Sequence, residues 1–374
     1  MESDIRLLFV SDLHLGIDEG ASGVPHHARI STFRRIASLA RDHDVFLVGG
    51  DLIDSSSVGR DVVDCIEREF RGLRDAGTEI VYAPGAGETG GLGAVAGFLS
   101  GLPLSRLFDD RGCEDPWRFT KEGGCLLVYG AQADSGFDIA AVERGPEEGY
   151  HLGLFHADIE YEEDARSSLV HHLRREGRRE PELDFYAFAF SHRFRMFKIL
   201  DRIVGVCPGS PEATERDETG DRYAVSIVIR DNRLYQLKRL TVNSMRLHHD
   251  RIDCSDLVTM GPIKDLLEGN RSKKAIQRLV LAGERNFVLR RNELKEYAGD
   301  FFRLDIDDRS VPTLDAMVEE FMDEGTLRGE FFRLLKERIA AGMPDDVDAR
   351  DLALSLDRIT RHGYADLEEW LCGL

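Results

Sequence analysis

The sequence lacks paired cysteines, long apolar runs and an excess of positive charge, and each shortage closes off a class of protein. Its six cysteines, Cys65, Cys113, Cys125, Cys207, Cys254 and Cys372, include no C-x-x-C pair. They predict reduced thiols in a cytoplasmic chain, not a disulfide framework or a zinc module. No apolar run approaches the ~20 residues that span a bilayer. The opening Met1-Glu2-Ser3-Asp4 supplies no basic segment ahead of the first hydrophobic stretch, so neither a signal peptide nor membrane contact is expected. Acidic residues number 69 against 49 basic, a net charge of -20. A surface of that sign does not grip nucleic acid as a whole, because phosphate binding needs local positive potential.

What is present is a chain of 374 residues, enough for two or three domains at ~150 residues each. From Ile5 to about Leu240, apolar runs alternate with polar turns and amphipathic stretches, the pattern of stacked β-α units. Strands are predicted at Ile5-Val10, Val45-Val48, Glu79-Ala83, Cys125-Tyr129, Tyr150-Phe155 and Phe185-Phe190. A hairpin is predicted from Tyr223-Ile229 and Leu234-Leu240, joined at Asp231-Asn232. One helix is expected from a Ser31 cap to about Asp42, burying Phe33, Ile36, Ala37 and Ala40, and another from Val58 to about Ala76.

Beyond Thr241 the texture changes. Ile263-Leu267, Ile276-Leu281 and Phe301-Ile306 read as short elements of an α+β cap-like region. A helical tail follows, with 15 acidic and 7 basic residues from Val311 onward. Its Leu327, Phe331, Leu334, Leu335 and Ile339 recur at helical spacing and predict a small bundle packed on itself. The expected domains are therefore 1–240, 241–310 and 311–374.

The chemistry is concentrated just after predicted strands. Asp12 and His14 follow the first strand two residues apart, so both side chains can project the same way. Asp51 and Asp54 follow the second, His156 follows Phe155, and His192 follows Phe190. Oxygen and nitrogen ligands delivered to one edge of a sheet describe a site for a borderline divalent ion such as manganese, iron or zinc.

These residues carry a family resemblance. Asp12-Leu13-His14, Gly50-Asp51-Leu52-Ile53-Asp54, Pro84-Gly85, Phe155-His156 and the stretch Asp184 to His192 resemble the motif blocks of calcineurin-like metallophosphoesterases. With the Pro208-Gly209-Ser210-Pro211 turn and the smaller C-terminal region, the chain is most similar to SbcD-type DNA repair exonucleases. The resemblance implies a four-layer α/β/β/α sandwich, a DNA substrate, an SMC-like ATPase partner and a homodimer. It also implies two metals that share a bridging Asp and hold a hydroxide for in-line attack. Asp12, His14, Asp51 and His192 would form the first metal site. The second would take Asp51, an Asn, His156 and another His.

The sequence departs from that pattern on the second-metal side. Ala86 stands where the family's Asn would be, Gly87 replaces the catalytic His, and Phe190 replaces the first His of an H-x-H pair. One ion, with manganese the expected metal, is therefore favoured over two, and activity is expected to be weak or absent. Glu88, Asp158 and Glu160 are the carboxylates nearest in sequence to the missing ligands and the candidates to replace them. A working one-ion phosphodiesterase or nuclease, and a structural partner with relic ligands, are the alternatives. Nucleic-acid contact is expected along Arg166 to Lys198, with 8 basic residues against 4 acidic ones. Arg174, Arg175, Arg178, Arg179 and Arg193 are its candidate phosphate contacts.

Overall fold

In a computed structural model, residues 4–54, 58–85, 88, 93–109, 113–131, 142–157, 182–199 and 201–341 are described. The chain divides into two compact units, Met1–Leu247 and His248–Leu374.

The first unit is built on two six-stranded sheets. One contains β1 (Ile5–Val10), β2 (Val45–Val48), β3 (Glu79–Tyr82), β4 (Arg106–Leu107), β11 (Tyr223–Arg230) and β12 (Arg233–Thr241), in the order β12-β11-β1-β2-β3-β4. The other contains β5 (Trp117–Lys121), β6 (Gly124–Ala131), β7 (Tyr150–His156), β8 (Phe185–Ala189), β9 (Arg195–Ile199) and β10 (Arg202–Cys207), in the order β5-β6-β7-β8-β10-β9. The central strands run parallel: β1 to β4 in the first sheet, and β6, β7, β8 and β10 in the second. Parallel strands covered on both faces read as continuous apolar runs, as Val45-Phe46-Leu47-Val48 does with all four residues buried.

Period-2 alternation sorts these runs into layers. Leu8, Val10, Phe46, Val48, Ile80 and Tyr82 pack with Phe33, Ile36 and Phe70 of two helices, α1 (His26–Ala40) and α2 (Arg60–Asp75). Their neighbours Leu7, Phe9, Val45, Leu47 and Val81 face the second sheet and meet Leu126, Val128, Leu152, Leu154 and Phe185. A third cluster, including Leu127, Tyr129, Phe155, Tyr186 and Phe188, covers the far face of the second sheet. Mixed α/β architecture with a buried sheet-on-sheet interface follows from this sorting.

Some local details differ from the sequence reading. Helix α1 starts at His26 behind an extended Pro25, not at Ser31, because Ala28, Arg29 and Ile30 are buried with the rest of that face. Strand β8 ends at Ala189, since Phe190 leaves the extended region with φ 95°. The hairpin turn is Asp231-Asn232, both left-handed at φ 51° and 54°, the geometry that suits a two-residue connection.

The second unit has a three-stranded sheet, β13 (Arg246–Asp253), β14 (Ala275–Ala282) and β16 (Arg303–Asp308), in the order β13-β14-β16. The short strands β15 (Glu284–Arg285) and β17 (Val311–Pro312) pair in parallel. Thr313 then caps the helix Leu314–Phe321 by accepting from the Ala316 N–H. In the following helix, Leu327–Ala340, Phe332 is buried against Met317, Val318 and Phe321. Phe331 and Leu335 pack against the same cluster and Leu334 is exposed. Residues 342–374 of the expected acidic tail lie outside the described residues. Cys65, Cys113, Cys125, Cys207 and Cys254 are free thiols, and no helix among the described residues is long and apolar enough to cross a membrane.

Candidate metal centre

Parallel strands place their C-terminal ends on one edge, where open α/β sheets bind ligands. Here two sheets contribute. Asp12 and His14 follow β1 and Asp51 follows β2 in the first sheet, while His156 ends β7 and His192 follows β8 in the second. The ends touch: the Gly49 carbonyl accepts from His156 Nδ1 at 2.8 Å. At Gly50, with φ 91°, an added Cβ would lie 2.7 Å from His156 Nδ1 and 2.6 Å from the Gly85 nitrogen. Only glycine permits that approach.

Backbone strain marks the same place. Six described non-glycine residues have positive φ: the two hairpin-turn residues and Asp12, His14, Asp51 and Phe190. A bulky residue in such a region costs about 1–3 kcal/mol and persists where its surroundings over-determine it. At Asp12, His14 and Asp51 the left-handed turn lifts each side chain out of the strand line. Asp12 N–H donates to Gly50 O at 3.0 Å and His14 N–H to Asp51 O at 2.8 Å, lacing the two turns together.

Ligand-type atoms of Asp12, His14 and His192 lie within 4.8 Å of one another, and so do those of Asp12, Asp51 and His156. Asp12 is common to both groups. Asp51 stands with His156, whose Nε2 is 3.5 Å from Asp51 Oδ2. His14 Nε2 and His192 Nε2 are 3.2 Å apart. That spacing suits two ligands of one ion, since bonds of about 2.0–2.1 Å at a tetrahedral angle set nitrogens roughly 3.3 Å apart.

Tautomers follow from the partners of each Nδ1. His192 Nδ1 donates to Glu218 Oε1 at 2.7 Å, with Thr214 Oγ1 at 2.9 Å. His156 Nδ1 donates to Gly49 O. With Nδ1 donating, the nitrogen left to face the centre on each ring is Nε2. His156 Nε2 and Asp12 Oδ1 are buried with no hydrogen-bond partner. Two acceptors facing a second carboxylate without a hydrogen between them is an arrangement that a cation relieves, so the donor set fits a divalent ion.

Burial works against charge on His192, yet the hydrogen bond and charge of Glu218 push it up, so a cation at its Nε2 would displace a proton. Burial pushes the Asp12 carboxyl up to about 6, opposed by His156 and His192. Burial, with His192 and Arg29 nearby, pushes His14 down, so its ring is held neutral as a ligand must be. Burial also works against charge on Glu218, yet hydrogen bonds from His192 and from Thr214 N–H bring it down to about 2. That carboxylate is 4% exposed. Its Oε2 accepts from Ser210 Oγ and Thr214 N–H, with Arg222 adjacent at 3.4 Å. The Arg222 guanidinium and the Ser210 N–H both donate to the His192 carbonyl. The Pro208-Gly209-Ser210-Pro211 turn is thus packed onto His192, and an added Cβ at Gly209 would lie 2.7 Å from the His192 carbonyl oxygen.

Glu88 is not available as a replacement ligand. Its Oε2 accepts from the Asp51 and Gly85 N–H groups at 3.0 and 2.9 Å, and its Oε1 from Leu52 N–H and the Tyr82 hydroxyl at 2.9 and 2.5 Å. Burial pushes its pKa up, against these hydrogen bonds. It is a buried brace beneath the Asp51 turn. Ala86, Gly87, Asp158 and Glu160 lie outside the described residues, as do Arg174, Arg175, Arg178 and Arg179. Arg193 is described, in an exposed ion pair with Asp217 at 2.6 Å, which offsets its charge. Sequence reasoning missed Glu218, Thr214 and Arg222, which no spacing rule connects to His192.

No protein-family model and no curated protein matches the chain. Solved structures similar to it include the calcineurin-like phosphoesterase YfkN from Bacillus subtilis, at 11% identity over 66% of this chain and 94% of that one, with a TM-score of 0.42. Another is a dimetal phosphatase from Danio rerio (LOC 393393), at 10% identity over 64% of this chain and 98% of that one, with a TM-score of 0.40.

Proposed function

We propose that the chain is an SbcD-like metallophosphoesterase homologue that holds one divalent ion at Asp12, His14 and His192, completed by Asp51. We further propose that it hydrolyses phosphodiesters weakly or not at all and serves as a subunit of a DNA repair assembly, with an SMC-like ATPase as its partner. The observation that carries this reading is the convergence of ligand-type atoms of Asp12, His14 and His192, with His192 Nδ1 committed to Glu218 and its Nε2 3.2 Å from that of His14. An ion bound there supplies a Lewis acid and lowers the pKa of water. The chain's own residues supply preorganisation: Glu218 holds the His192 tautomer and Glu88 holds the Asp51 turn. Low activity is supported by Ala86, Gly87 and Phe190 in the sequence and by the full hydrogen-bond commitment of Glu88.

The Asp12, Asp51 and His156 group favours one alternative, an active phosphodiesterase that completes a second site. Manganese titration by calorimetry, followed by a manganese-supplemented assay on single- and double-stranded DNA, separates the two. The expected result is one ion per chain, with cleavage no faster than in an Asp51→Asn control. Two tightly bound ions with cleavage well above that control would establish the alternative, and no bound ion would overturn both.

A further inference from the structure

We propose that Phe190 is a stacking platform for a flat aromatic group carried by the phosphate ester that binds at the centre; this deepens the phosphoester reading above and rests on it. Seven large hydrophobic side chains are exposed among the described residues, and Phe190, at 44% exposure, is the one in contact with the candidate ligands. Its ring centroid is 5.6 Å from that of His156, with the planes at 80°. Its backbone N–H donates to Asp12 Oδ2 at 3.4 Å. The ring is therefore held beside Asp12 and His156 by its backbone and by an edge contact, with part of its surface open to solvent.

The backbone there sits at φ 95°, where glycine is comfortable and a phenylalanine is not. A half-exposed ring recovers little of that strain by burial. An uncharged ring cannot complement the phosphate itself, so its recognition falls on whatever the phosphate is attached to. Aromatic faces stack on nucleobases and on aryl groups alike, and both sources share the chemistry of a planar π-system joined to phosphate. The competing role is a hydrophobic shield over His156, which would make no distinction between aromatic and aliphatic esters.

The test is calorimetric binding to the full-length protein loaded with manganese. The ligands are deoxyadenosine monophosphate and phenyl phosphate against deoxyribose 5-phosphate and methyl phosphate. Each aromatic ligand should bind about 10-fold more tightly than its aliphatic counterpart. Phe190→Leu, and Phe190→Gly as a strain-free second variant, should bring the ratio to about one, while Phe190→Trp should retain it. A preference confined to the nucleotide assigns the platform to a nucleobase, and one shared with phenyl phosphate assigns it to aryl groups generally. Equal affinities in the unaltered protein, or a preference that survives in the Leu and Gly variants, overturn the proposal while leaving the metal centre standing. Failure to bind manganese in the titration without phosphate overturns the underlying reading and the platform with it.

Discussion

His192 and His156 both reach the centre from the second sheet, yet they are held in different ways. Behind His192 lies a buried ionic network in which Glu218, pinned by Ser210, Thr214 and Arg222, accepts the Nδ1 proton. Behind His156 lies a single backbone carbonyl, that of Gly49, with the Phe190 ring at its side. A carboxylate partner raises the basicity of a ligating imidazole more than a neutral carbonyl does. The two ligand groups are therefore not equivalent, quite apart from the residues at 86, 87 and 190. His192 is braced by a charged network, while His156 rests on one neutral carbonyl and keeps a buried Nε2 without a partner.

The comparison breaks most directly at the ligands themselves. His192→Ala should weaken manganese binding by about 100-fold, and His156→Ala by no more than about threefold, both read by calorimetry. Equal losses would show a two-ion centre and erase the asymmetry. A smaller effect is expected from Glu218→Gln, which keeps the shape but removes the charge behind His192: about a 10-fold loss of affinity. The same variant has a pH signature. Glu218 is held down at about 2, below its ordinary value, so its contribution to stability is complete above about 4.5 and is lost as pH falls toward 2. Urea melts between pH 5 and pH 2.5 should show that slope in the unaltered protein and a shallower one in Glu218→Gln. The smallest effect belongs to the strained ring. Phe190→Gly should be about 1 kcal/mol more stable than Phe190→Ala in denaturant melts, since alanine keeps the positive-φ penalty that glycine escapes.

Much of this arrangement was legible in the residue order. Strands buried on both faces announce themselves as unbroken apolar runs, which is why β1, β2, β7 and β8 could be read together with the ligand that ends or follows each, and β3 without one. The strand β9 could not, because Lys198 interrupts its short apolar pattern, and β10 was passed over although Ile203-Val204-Gly205-Val206-Cys207 is an unbroken apolar run. The start of α1 was hidden for a different reason: Pro25 ends the preceding loop without a side-chain cap, and the better capping residue, Ser31, lies inside the helix. Glu218 and Glu88 were beyond reach in their actual roles. One depends on a turn folded back across His192, and the other on a carboxylate bonding to backbone groups 35 to 37 positions earlier in the chain.

The centre also has a mechanical side. Asp12, His14 and Asp51 belong to one sheet, and His156 and His192 to the other, so an ion that takes ligands from both acts as a rivet through the sandwich. Metal would then raise the temperature at which the whole first unit melts, by mass action on a closed state. Its removal by a chelator would loosen the seam at the Gly49 contact before any strand is lost.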